Sequence, residues 1–134
     1  MFLIIFTVVF VVGKCLGDSH PWIPQSKNDS WVKKHEGLVN QTIKYGEKVE
    51  IVFIGDSITE GWKYNGSAVW NKYFAPRLAF NYGIGGDRTE NLLWRIEHKE
   101  LDGLKPKVVV LMIGISLKMF EKIIEIYLFI NDFE

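Results

Sequence analysis

The chain reads first as short apolar runs separated by glycine, proline and small polar residues. Trp31, His35, Leu38, Val39 and Ile43 recur at the spacing of one helix face. Asp29 or Ser30 can cap that helix, and Gly46 ends it. From Val49 to Ile54 the run is rich in β-branched residues and halts at Gly55-Asp56-Ser57, which predicts a strand entering a tight loop. Trp62 to Phe74 predicts a loop and a short helix closed by Pro76, and Leu78 to Tyr82 a second strand stopped by Gly83-Ile84-Gly85-Gly86-Asp87. Behind Thr89, Leu92, Leu93, Ile96 and Leu101 form another helical stripe without a full capping box. Gly103 and Pro106 turn the chain into Lys107–Gly114, KVVVLMIG, apolar without alternation, as a parallel strand buried on both faces would be. In residues 115–134, Leu117, Phe120, Ile123, Ile124, Tyr127 and Leu128 favour a helix, although Ile126, Phe129 and Ile130 make it apolar nearly all round.

Strands alternating with helical stripes predict the α/β class, with a parallel sheet and helices on both faces. Three strands leave Val108–Met112 with an uncovered edge. That edge invites self-association, unless the apolar tail folds back over it.

Charge narrows the functions. The 134 residues carry 16 basic and 16 acidic side chains, a net charge of zero, which argues against a nucleic-acid partner. Hydrophobic residues make up 48%, enough for one packed core. Phe2 to Val12 is too short to span a bilayer, which takes about 20 apolar residues. It suits the apolar stretch of a signal peptide, with Cys15 and Gly17 before a cleavage site at Asp18. The expected division is therefore a signal peptide (1–17), an extended segment with Pro21 and Pro24 (18–30), the domain (31–114) and a divergent tail (115–134). Secretion would remove the lone cysteine and expose the sequons at Asn28, Asn40 and Asn65 to glycosylation.

Ser57 directly follows a predicted parallel strand, at the sheet edge where open α/β folds bind ligands. Its hydroxyl needs a base to become a nucleophile, and a helix cap is the plain structural alternative. The glycines from Gly83 to Gly86 form a second loop at the same edge, where backbone N–H groups can approach a ligand, or simply make a tight turn. Neither loop is a nucleotide fingerprint: no Gly-Lys-Ser/Thr follows Gly55, and Arg88 stands where a third Rossmann glycine belongs. Asp56 and Asp87 read as loop-organising groups. No His or Cys spacing suggests a metal site, and no cofactor is expected. His20 lies in the lead-in, His35 inside the first helix as a surface or half-buried residue, and His98 far from Ser57.

Together the blocks Val52–Thr59 (VFIGDSIT), Asn81–Arg95 (NYGIGGDRTENLLWR) and Gly103–Gly114 (GLKPKVVVLMIG) resemble the SGNH, or GDSL-type, hydrolase superfamily. The similarity is to the branch of intracellular platelet-activating-factor acetylhydrolase catalytic subunits, and it runs from about Trp31 to Gly114. The resemblance implies a truncated three-layer α/β/α, flavodoxin-like fold. It also implies a serine esterase acting on acyl or acetyl esters of small molecules, lipids or carbohydrates. By that resemblance Ser57 is the nucleophile, and the N–H groups of Ser57 and Gly86 belong to the oxyanion hole. Ser116 occupies the position of the family's oxyanion asparagine. The family's Asp-x-x-His segment does not occur in this sequence, so the chain is expected to be inactive. The competing readings are a non-catalytic ester- or carbohydrate-binding remnant, to which a pocket rimmed by Trp62, Tyr64 and Trp70 would point, and a fragment of an incomplete gene model.

Overall fold

The computed structural model describes residues 20–114 and 125–130. Helix α1 (Asp29–Tyr45) leads into β1 (Ile51–Gly55). A string of short turns follows: α2 (Ser57–Glu60), a 3-10 turn (Gly61–Lys63), α3 (Ser67–Val69), a π-helical turn (Trp70–Phe74) and a second 3-10 turn (Ala75–Arg77). Strand β2 (Ala79–Gly83), α4 (Thr89–Glu97), β3 (Val108–Ile113) and β4 (Glu125–Ile130) complete the order.

The sheet runs β2-β1-β3-β4. β1 pairs in parallel with β2, Gly55 opposite Gly83, and with β3, Gly55 opposite Met112. β4 lies antiparallel on the other edge of β3, Val108 opposite Ile130 and Ile113 opposite Glu125. The predicted parallel three-stranded sheet is therefore present, but the expected helix in the tail is not the conformation of residues 125–130. Strand and helix both accommodate a segment apolar all round, and here the unpaired backbone of β3 supplies ladder partners that a helix would leave unmet.

Strand alternation divides the core into two layers. Val52, Ile54, Tyr82 and Ile113 are buried on one side with Trp31, Leu38 and Leu92 from α1 and α4. On the other side Phe53 meets the edges of Trp70 and Phe74, each at 5.0 Å between ring centres, and Trp62 packs on Phe74 at 5.6 Å. The arrangement is a partial α/β/α sandwich. β3 departs from the expectation of full burial: only Ile113 is buried, and Val108–Met112 are half-buried on both faces of the sheet.

Two helical stripes are shifted by one residue from the pattern. Thr42 is buried on α1 and Ile43 is exposed, since the Thr42 hydroxyl meets Tyr82 Oη at 2.9 Å and donates to the Glu100 carbonyl at 2.5 Å. On α4, Arg95 is fully buried and Ile96 is exposed. Helix starts follow side-chain capping. Asn28 Oδ1 accepts the Trp31 N–H at 3.1 Å, and Asn91 Oδ1 accepts the Arg88 N–H at 3.0 Å, closing the box that Thr89 lacked.

Candidate active site

Parallel pairing of β1 with β2 brings both glycine-containing loops to one carboxyl edge of the sheet. Ser57 opens α2 there and is exposed. Asp56, buried just before it, accepts the Ile58 N–H at 2.9 Å, so this carboxylate organises the turn. Close packing explains the residue types. A side chain at Gly55 would collide with the Met112 carbonyl and Thr59 Oγ1, and one at Gly83 with the Glu60 backbone. At Gly85 an added Cβ would lie 2.6 Å from Glu60 Oε2 and 3.8 Å from Ser57 Cβ, which places the second loop directly against the serine.

The second loop is held from three directions. Glu60 Oε2 accepts the Gly85 N–H at 2.8 Å, while Asn81 bridges the two loops, donating to the Thr59 carbonyl at 2.6 Å and accepting the Gly83 N–H at 2.8 Å. Lys27, from the lead-in, donates to the Gly86 carbonyl. Gly86 is exposed with φ of +77°, a conformation that favours glycine. Among the described residues, no protein acceptor engages the N–H of Ser57 or Gly86.

Beneath the loops lies a buried ionic cluster. Asp87 and Arg95 are both fully buried, with Arg95 Nε 2.9 Å from Asp87 Oδ2, a contact too poorly aligned to be a hydrogen bond. Arg95 also donates to Tyr82 O at 2.9 Å, to Gly55 O at 3.2 Å and to Glu100 Oε1 at 2.6 Å. Glu100 Oε2 meets His35 Nδ1 at 2.9 Å. The Trp31 indole donates to Asp87 Oδ1 at 2.6 Å, and Lys27 stands 3.5 Å from the same oxygen. Burial pushes the Asp87 carboxyl above the ordinary carboxylate range, an effect partly offset by Arg95, Trp31 and Lys27.

Asp87 thus organises its loop as expected, whereas His35 is buried rather than superficial, with Glu100 Oε2 against Nδ1 at 2.9 Å and the His98 carbonyl against Nε2 at 3.1 Å. His98 is exposed and stacks on Trp94 at 3.7 Å. Ser116 lies outside the described residues. Trp62 and Trp70 pack with Phe74 over Phe53, leaving Tyr64 exposed. An open groove of about 460 Å3 lies on the α1/α4 layer, between Val32, Val39 and Trp94. Among the described residues no three His, Cys, Asp or Glu side chains gather as a metal site would require, and no helix is long and apolar enough to cross a membrane.

The pattern left Arg95, Glu100, Glu60, Asn81 and Lys27 unassigned. Arg95 carried one signal: it stands three residues after Leu92 and four after Asn91, on the inward face of its helix.

Residues 53–116 match the model of the GDSL-like lipase/acylhydrolase family. Platelet-activating factor acetylhydrolase IB subunit alpha2 of Homo sapiens is 35% identical over 104 residues, which cover 73% of this chain and 44% of the relative. Subunit alpha1 of Rattus norvegicus is 38% identical over 84 residues, 63% of this chain and 34% of the relative. The chain thus spans less than half the length of these relatives and carries a partial GDSL-type hydrolase domain. The matches correct one expectation. They fall in the intracellular branch that the motifs resembled, so the extracellular location read from Phe2–Gly17 does not stand. The argument for glycosylation at Asn28, Asn40 and Asn65 falls with it. Residues 1–19 themselves lie outside the described residues.

Proposed function

We propose that this chain carries the nucleophile half of a serine ester hydrolase. The observation that carries the reading is the juxtaposition of an exposed Ser57 with the Gly85–Gly86 loop, on adjacent parallel strands at one sheet edge. Ser57 is the residue that would attack an ester carbonyl, and the N–H groups of Ser57 and Gly86 are the donors for the resulting oxyanion. The family match and the acetylhydrolase relatives support acyl or acetyl esters, of lipids among others, as the substrate class.

A hydroxyl without a base is close to inert at neutral pH. His35 is committed to Glu100, and His98 to the Trp94 carbonyl at 2.6 Å and to its ring. No Asp-x-x-His segment occurs among the 134 residues. Loss of the serine or histidine of a serine triad costs a factor of about 10⁶ in kcat. The polypeptide is therefore expected to hydrolyse p-nitrophenyl acetate no faster than its Ser57→Ala variant, and to escape stoichiometric labelling by a fluorophosphonate. Serine-dependent turnover or labelling would show that a base reaches Ser57 after all.

A further inference from the structure

A second surface begins where the Ser57 turn ends. From Gly61 to Gly86 the chain carries Lys63, Lys72 and Arg77 but no acidic residue, in a protein of zero net charge. The turns of this segment bury one side only. Trp62, Trp70 and Phe74 face inward against Phe53, while Tyr64, Val69, Tyr73 and Leu78 remain exposed, Tyr64 by 65%. Val69, Tyr73 and Arg77 follow at four-residue spacing and share the outward side. Their adjacency is visible in contacts. Arg77 donates to the Tyr73 carbonyl, and Lys72 Nζ sits 4.8 Å from the Tyr73 ring centre. Tyr64 stands at the start of the same run of turns, its carbonyl accepting the Ser67 N–H at 3.1 Å. Lys63 turns inward to the Gly83 carbonyl at 3.4 Å. The nearest acid in sequence, Glu60, is engaged by Lys34 at 3.2 Å and by the Gly85 N–H.

We propose that the outer side of residues 64–78 docks on an anionic lipid surface. Tyrosines interleaved with cations and with the aliphatic Val69 and Leu78 match the interfacial zone of a bilayer, where rings and apolar side chains enter the headgroup boundary and cations face anionic lipids. Charge complementarity selects anionic lipid over neutral lipid. A nucleic acid would call for a row of cations spaced to follow phosphates, and Val69 and Leu78 interrupt any such row. The contact is peripheral: the segment lies on the surface and does not span it.

The test is co-sedimentation of the full chain with vesicles of phosphatidylcholine alone and of phosphatidylcholine mixed with phosphatidylserine. Binding is expected to the mixed vesicles, weakening as salt is raised. Lys72→Gln should lower it about five-fold, and Lys72→Gln with Arg77→Gln further by a similar factor. Tyr64→Ser with Tyr73→Ser should weaken binding at every salt concentration. The control pair Lys33→Gln and Lys105→Gln, exposed elsewhere, should leave binding unchanged. Absence of binding, equal binding to both vesicles, equal losses in the control pair, or displacement by a single-stranded oligonucleotide would each overturn the proposal. None of these readouts depends on Ser57.

Discussion

Asp87 is where the chemistry of one side chain is most constrained. Its carboxylate is shut from water, and burial raises its pKa more than Arg95, Trp31 and Lys27 lower it. A carboxyl with a higher pKa in the folded than in the unfolded state binds more protons when folded. Its contribution to stability is therefore greatest below the unfolded pKa, about 3.9, and is lost as pH rises through the folded value. Asp87→Asn removes that titration. The difference in melting temperature, variant minus parent, should become more positive as pH is raised from acid toward neutral. Thermal scans across that range check the sign, and a difference that falls with pH would mean that Arg95 outweighs burial. His35 makes the complementary point: a histidine on a helix stripe looks superficial until Glu100 arrives from 65 residues away to pair with it.

At the scale of elements, β4 matters most. Its antiparallel ladder covers β3 on the side that the parallel strands leave open. In an edge strand alternate N–H groups point toward the neighbour, so proline at two successive positions must strike one ladder bond. Leu128→Pro and Phe129→Pro, compared as a pair, should differ: one tolerated, the other uncovering β3 and shifting the protein toward oligomers in size-exclusion chromatography with light scattering. Two variants that both remain monomeric would show that β3 needs no cover. The same element shows how local pattern loses to context. The spacing of Leu117 to Leu128 fits a helix, yet residues 125–130 are extended because β3 offers a template.

Across the whole molecule, Arg95 joins what the elements keep apart. One guanidinium reaches the ends of β1 and β2, the loop carrying Asp87, and Glu100 behind α4, and through Glu100 it reaches α1 at His35. Removing one partner of a buried ion pair costs about 3–5 kcal/mol, because the remaining charges stay buried without compensation. Arg95→Met should lower unfolding stability by about that amount in urea titrations, since Asp87 and Glu100 both lose their guanidinium partner. Arg95→Lys should recover only part, since a single ammonium cannot replace a fork that serves three hydrogen-bond acceptors and also faces the Asp87 carboxylate. Full stability in Arg95→Met would mean that the cluster is an incidental consequence of packing.

Several features followed from the sequence alone, for local reasons. Apolar runs ended by glycine located three parallel strands and two helices to within a few residues, since strand burial and glycine turns act over a handful of positions. Ser57 was legible as a site candidate because it follows a strand end, and Gly86 because the family resemblance singled it out within the second glycine loop. Tertiary structure decided the rest. Burial of Arg95, Glu100 and His35 is possible only where opposite charges and carbonyls from distant segments meet, and no periodicity encodes that meeting. Trp62 and Trp70 turned from pocket rim to a half-buried aromatic cluster because Phe53 lies beneath them. The conformation of residues 125–130 was set by the open edge of β3, since a backbone that gains a hydrogen-bonding partner follows that partner over its own side-chain pattern.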